Sequence, residues 1–217
     1  MEEYIAKTIT AYDQSPGKYI EGTQGMTLRY EFDRFAKSVT GAVLDAGCAF
    51  GRDTAVFHDR GFAVTGIDLS DGLLQKAREL HPALDFKKMD VRSLTFADES
   101  FGGVWCSAVL LHLNDRDVTK ALREFYRVLK PGSTLFVSFK KGEGTQEVLE
   151  TFSSEAARFY NFKTIKTLTA LLKKSGFTNI DAYDVNERDR FGPHKRDLDW
   201  VHCFSTKPLQ AAGSSPL

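Results

Sequence analysis

Between residues 42 and 139, short apolar runs alternate with amphipathic stretches, and that alternation leaves few folds open. The runs "AVLDA", "FAVTGID", "LDFKKMD", "GGVWCSAVLL" and "STLFVSF" are rich in Val, Leu and Phe and are bounded by Gly, Asp or Pro, as buried strands are. Between them "GRDTAVFHDRG", "SDGLLQKAREL" and "DRDVTKALREFYRVLKPG" read as helices. The last places Leu122, Phe125, Tyr126 and Leu129 at helical spacing, with Asn114 or Asp115 as N-cap and Pro131-Gly132 as the stop. Ser70 is the expected cap of the helix before it. Strands alternating with helices predict a mostly parallel sheet with helices on both faces.

After Phe139 the pattern changes. Residues 140–162 are too polar and mixed for another plain strand–helix unit. A helix "TIKTLTALLKKSG" follows, then two β-like runs, "FTNIDAYDV" and "WVHCFSTK". These bring the expected sheet to seven strands, with "WVHCFSTK" reversed. The charged connection "NERDRFGPHKRDLD" between them balances its acids and bases and reads as a solvated hairpin loop. Residues 1–40 read as a helical, lid-like segment with a break at Pro16-Gly17, and residues 41–207 as the main domain. The tail 208–217 is expected to be disordered.

A chain of 217 residues suits one domain with modest insertions. Its 29 basic and 29 acidic residues cancel, so no whole-molecule field draws it to nucleic acid or to an anionic membrane. The start "MEEYIAKTIT" has no apolar core of a secretory signal, and no uncharged stretch is long enough to span a bilayer. Cys48, Cys106 and Cys203 form no CxxC pair, which fits a cytoplasmic location. There is no HExxH and no Cys/His cluster, so no metal is expected.

The chemistry should sit in "LDAGCAFGRDT", the turn between the first strand and first helix of the alternating region. Open α/β sheets bind ligands outside the carboxyl ends of their strands, where the strand order reverses. Gly47 and Gly51 let the backbone turn without a Cβ in the way. Asp68 ends the next strand 23 residues beyond Asp45, about where an acid grips a ribose. A dinucleotide fits poorly. Counting GxGxxG from Gly47 puts Ala49 and Arg52 where glycines belong, and Asp45 would stand beside a pyrophosphate. A cationic nucleoside without phosphate fits better, because the acid at the loop then favours its charge.

The ordered stretches "VLDAGCAFGRDT", "VTGIDLS", "KKMDVRSLTFADESFGGVWCSAVLLHL" and "LREFYRVLKPGSTLFVSF" resemble the class I S-adenosylmethionine-dependent methyltransferases over roughly residues 40–140. The resemblance implies a Rossmann-like, doubly wound sheet and S-adenosylmethionine as cofactor. It implies Asp45, Gly47, Cys48 and Gly51 around the methionine end, Asp68 on the ribose with Ser70 next to it, and Leu69 flanking the adenine. Asp90 and Val91 would read the adenine, and Ser107 would lie along the methionine. Ala49 replaces the family's usual second glycine.

His112 follows the fourth strand, beside the expected methyl donor. It either faces the acceptor as a general base or packs at the start of the next helix. Three irregular segments should border the acceptor: Tyr12 to Tyr30, Lys140 to Phe162, and Asn186 to Asp199. Tyr12, Tyr19, Tyr30, Phe152, Phe159, Tyr160 and Phe162 could wall it from water. The expected acceptor is a small molecule, handled by a monomer or homodimer without nucleic acid. The alternatives are a methyltransferase of tRNA wobble type and a non-catalytic S-adenosylmethionine sensor.

Overall fold

The computed structural model describes residues 2–150, 154 and 156–209. Seven strands form one sheet in the order β3-β2-β1-β4-β5-β9-β8. They are β1 (Val43–Ala46), β2 (Val64–Asp68), β3 (Asp85–Lys88), β4 (Phe101–Cys106), β5 (Leu129–Lys140), β8 (Thr178–Asn186) and β9 (Asp199–Thr206). Neighbours from β3 to β5 pair in parallel, and β9 runs antiparallel to both β5 and β8. This is the expected doubly wound sheet with its one reversed strand. The order reverses between β1 and β4, which opens a crevice at their carboxyl ends.

The helices form where caps and apolar spacing agree. The Ser70 side chain accepts from Leu73 N and starts α5 (Asp71–Leu80). Asn114 accepts from Asp117 N and starts α6 (Asp115–Val128), whose Val118, Ala121, Leu122, Phe125 and Val128 are buried on one face. The chain leaves α6 earlier than Pro131-Gly132 suggested. Leu129 is already extended, and β5 runs straight through the Pro-Gly pair. The run "GGVWCSAVLL" also ends early as a strand. Ala108 takes a left-handed φ of 58°, and Leu110–His112 form a turn of 3-10 helix.

The leading segment divides in two. Helices α1 (Glu3–Gln14) and α2 (Pro16–Thr23) lie over the carboxyl ends of the strands, with Pro16 starting α2. Helix α3 (Arg29–Ser38) belongs to the core, so a helical lid extending to residue 40 is too long. Phe32 and Phe35 are fully buried, and Phe32 stacks on Trp105 at 4.5 Å, which stacks on Phe136 at 4.1 Å. This aromatic layer covers one face of the sheet, and α6 and α7 (Ile165–Lys174) help fill the larger core on the other.

The polar insert forms a hairpin-like pair, β6 (Thr145–Val148) with β7 (Arg158–Asn161), outside the main sheet. The charged connection is not a plain solvated loop. Asn186 caps a short helix, α8 (Glu187–Phe191), and Glu187 is turned inward and buried. Phe152 and the tail from residue 210 lie outside the described residues. No helix among the described residues is long and apolar enough to cross a membrane.

Candidate functional site

Two cavities meet at the carboxyl ends of β1, β4 and β5. Tyr12, Tyr19, Ser107, Ala108 and His112 line both.

The first cavity contains most of the nucleoside-binding residues expected from sequence. Gly47, Asp68, Leu69, Ser70, Asp90, Val91 and Ser107 line it, with Ala49, Val109 and Met89. Gly47 has φ +88°, and a Cβ there would stand 2.1 Å from Val109 Cγ2, so only glycine leaves the turn intact. Ala49 also takes a left-handed φ of 48°, and its N–H donates to Asp68 Oδ2 at 2.9 Å. Ser70 N donates to Asp68 Oδ1 at 2.9 Å. Each oxygen thus holds one backbone amide and keeps a second acceptor site for a hydroxyl. Burial raises the Asp68 carboxyl above its ordinary value, and these amides pull it back down.

Other expected residues sit elsewhere. Asp45 lies behind the loop, 2% exposed, accepting from Thr54 Oγ1 at 2.6 Å rather than standing at the cavity mouth. Burial, with the Asp53 charge nearby, pushes its carboxyl up to about 8. Cys48 packs with Leu74, Ala77 and Phe86 behind the loop, and burial raises its thiol well above the usual range. Gly51, with φ +82°, begins α4 (Arg52–Asp59) against Phe86. Asp90 reaches the cavity, but its carboxylate is forked onto Arg92 at 2.7 and 3.0 Å, which leaves little of it to read an adenine amine.

His112 stands between the cavities with both ring nitrogens engaged. Nδ1 faces the Phe159 carbonyl at 2.7 Å, which can only accept, so Nδ1 carries the proton. Nε2 then accepts from the Tyr12 hydroxyl at 2.8 Å. Burial, reinforced by the nearby Arg158 charge, depresses the imidazole to about 3. A group held so firmly neutral is a poor proton store near neutral pH, and here it fixes the direction of the Tyr12 hydroxyl.

The second cavity is walled largely by charged residues of the 140–162 and 186–199 segments, which were expected to border the acceptor without a role for any charged side chain. Lys140, Glu150, Arg158, Glu187, Arg196 and His202 all line it. His202, in the reversed strand, places Nδ1 3.1 Å from Oε1 of the buried Glu31. The only sequence signal for this pair was a histidine within an apolar strand. Of the expected aromatic wall, Tyr12, Tyr19 and Tyr160 line the cavities. Tyr30 is 54% exposed, Phe159 packs on Tyr4 at 4.6 Å, and Phe162 packs against the core.

Helix α1 ties the two cavities together from above. Asp13 accepts from Ser70 Oγ at 2.5 Å and from Gly72 N at 2.9 Å, fastening α1 to the start of α5.

The comparisons with known proteins agree with this architecture. The methyltransferase domain family matches residues 44–137. Methyltransferase GfsG of Streptomyces halstedii is 30% identical over 172 residues, which are 73% of this chain, and the chain spans 60% of that protein's length. An O-methyltransferase of Pyrenophora dematioidea is 33% identical over 190 residues, covering 82% of this chain and 69% of its own length. The fold is shared with the 1,6-didemethyltoxoflavin-N1-methyltransferase of Burkholderia thailandensis, solved with 1,6-didemethyltoxoflavin and S-adenosylhomocysteine bound. That structure aligns at a TM-score of 0.65 and 21% identity, covering 95% of this chain and 86% of its own. With its reversed seventh strand, its glycine turn and a relative of this similarity, the chain belongs to the class I S-adenosylmethionine-dependent methyltransferases.

Proposed function

We propose that this chain transfers the methyl group of S-adenosylmethionine to a small-molecule acceptor. The observation that carries the reading is the junction of the two cavities at Ser107, Ala108 and His112. One cavity offers a loop with no room for a Cβ at Gly47 and a half-buried carboxylate at Asp68. These features fit a ribose and an amino-acid moiety, and the other cavity is left for the acceptor. Bound there, the sulfonium supplies an already activated methyl group.

The chain's own work is then alignment and exclusion of water. Ser138 Oγ accepts from Ala108 N at 2.9 Å and lies 3.4 Å from Ser107 Oγ, which fixes the strip of backbone between the two ligands. Tyr12 and Tyr19, edge to face at 5.1 Å, close that strip from above. His112 holds Tyr12 in place, and the Tyr12 hydroxyl is the polar group presented to an incoming nucleophile. The expected base therefore acts as a positioning residue in this reading.

The test is transfer of an isotopically labelled methyl group to a metabolite extract and, separately, to bulk tRNA. Label in a small-molecule fraction, with release of S-adenosylhomocysteine, is the expected result. Label confined to tRNA would contradict the acceptor class, and no transfer to either pool would favour a non-catalytic sensor.

A further inference from the structure

The second cavity holds a histidine with one ring nitrogen uncommitted. His202 sits near the start of β9, directly across from Ser138 at the carboxyl end of β5. Directly opposed residues on antiparallel strands share a face of the sheet. The His202 ring therefore stands beside the hydroxyl that fixes Ala108 between the two cavities. It packs against the rings of Phe136 at 5.6 Å and Tyr183 at 6.0 Å, and it lines the second cavity.

A buried acid fixes the other end of the ring. His202 Nδ1 lies 3.1 Å from Oε1 of Glu31, which is fully buried in α3. The same oxygen accepts from Arg190 Nη2 at 2.8 Å and from Tyr183 OH at 3.2 Å. Burial works to raise the Glu31 carboxyl, but its hydrogen bond from His202, with the Arg190 charge, holds it below its ordinary value. An ionised carboxylate can only accept, so Nδ1 carries the proton and Nε2 the lone pair. Nε2 has no hydrogen-bond partner among the described residues. His112 is arranged in the opposite way, with both nitrogens engaged and the imidazole depressed to about 3. A carboxylate behind Nδ1 stabilises the imidazolium that forms when Nε2 takes a proton.

We propose that His202, oriented by Glu31, is the general base of this site and that the acceptor's nucleophile is a hydroxyl. Nε2 takes the hydroxyl proton as the oxygen forms its bond to the methyl carbon. The carbon–sulfur bond breaks with its electron pair left on sulfur, and the proton on His202 passes afterwards to water. A neutral amine needs no such base, because it attacks through a lone pair it already carries. The rings of Tyr19, Tyr160, Phe191 and Trp200 line the same cavity and suit a planar, hydroxylated acceptor. The inference rests on reading the second cavity as the acceptor site. His202 is then the catalytic residue and Glu31 a positioning residue.

Two readouts on the whole chain test this, and the first needs neither turnover nor a variant. Diethyl pyrocarbonate acylates an imidazole nitrogen that is unprotonated and within reach, and peptide mass spectrometry locates the product. His202 should be modified, and His112, with both nitrogens engaged, should not. A His202 left unmodified would overturn the proposal. The second readout is the initial rate of labelled methyl transfer from S-adenosylmethionine to the metabolite extract. His202→Gln should lower it at least about a hundredfold at pH 7, and Glu31→Gln about tenfold. The thermal shift by S-adenosylhomocysteine should persist in both variants, which shows that each is folded. At about pH 9 a hydroxyl such as a phenol begins to ionise unaided, so the rate of His202→Gln relative to the parent should climb. Lys140, further along β5, is pushed down to about 8 by burial and titrates in the same range, but it is common to both proteins and cancels in the ratio. A His202→Gln protein that keeps the parent's rate, or whose deficit does not change with pH, would leave His202 a structural role only. A parent that transfers no label contradicts methyl transfer itself, and the base role falls with it.

Discussion

Gly47→Ala should weaken S-adenosylhomocysteine binding by at least about a hundredfold, close to 3 kcal/mol. The added Cβ meets Val109 Cγ2 at 2.1 Å and Cγ1 at 2.9 Å, and Val109 itself lines the cofactor cavity. An L-residue at φ +88° carries a further cost of about 1–2 kcal/mol. The loop has little freedom to absorb either, because Gly47 N and Cys48 N both donate to the Ile67 carbonyl, at 2.7 and 2.9 Å. Adding Val109→Ala removes the colliding methyl groups and should restore part of the affinity. Calorimetry on the single and double variants reads both effects. A Gly47→Ala protein that binds within about threefold of the parent would show that the turn does not shape the cofactor site.

The second large effect is on stability against pH. His112 has a folded pKa of about 3 against an ordinary 6.5, so between these values the unfolded chain binds a proton that the native chain refuses. Stability from this residue is complete above about 6.5 and is lost as the pH falls toward 3. The slope is at most about 1.4 kcal/mol per pH unit, which bounds the total near 5 kcal/mol. His112→Gln cannot titrate. At pH 7.5 it should be less stable than the parent by about 1–3 kcal/mol, having lost the Tyr12 and Phe159 contacts. That gap should shrink steadily between pH 6 and pH 4. Denaturant melts at several pH values measure it, and parallel pH profiles would show that the imidazole is not held neutral by its surroundings.

The parts of the molecule legible in the sequence are those where one local signal decides the structure. Apolar runs became β1 to β5, Ser70 and Asn114 capped the helices they precede, and the reversed "WVHCFSTK" became β9. The glycine turn and Asp68 were also legible, because a tight turn and a strand-end acid lie close together in the chain. The misplaced element ends have local causes that apolarity does not reveal. Ala108 turns left-handed after β4, and Leu129 becomes extended before Pro131.

The second cavity was far less legible. Its charges come from Lys140, Glu150, Arg158, Glu187 and Arg196, and each looks like an ordinary surface residue within its own segment. Only their convergence makes them a site. The connection 187–198 appeared solvated because its acids and bases balance. The balance is in part an ion pair turned inward, with Arg196 Nη2 2.7 Å from the buried Glu187 carboxylate. Asp45 misled in the opposite sense. An acid beside a glycine turn suggested a ligand contact, but the strand carries its side chain beneath the loop to Thr54.

The central claim, that the first cavity takes S-adenosylmethionine, is tested most directly by calorimetric titration of the whole chain with S-adenosylhomocysteine and, in parallel, with NAD. A ligand that binds only the folded state also raises the melting temperature by mass action, which gives an independent readout. The account predicts one-site binding of S-adenosylhomocysteine with a clear rise in melting temperature, and neither effect with NAD, because Ala49 and Arg52 stand where a dinucleotide fingerprint has glycines. Equal binding of the two nucleotides, or no binding of S-adenosylhomocysteine by the folded protein, would contradict it.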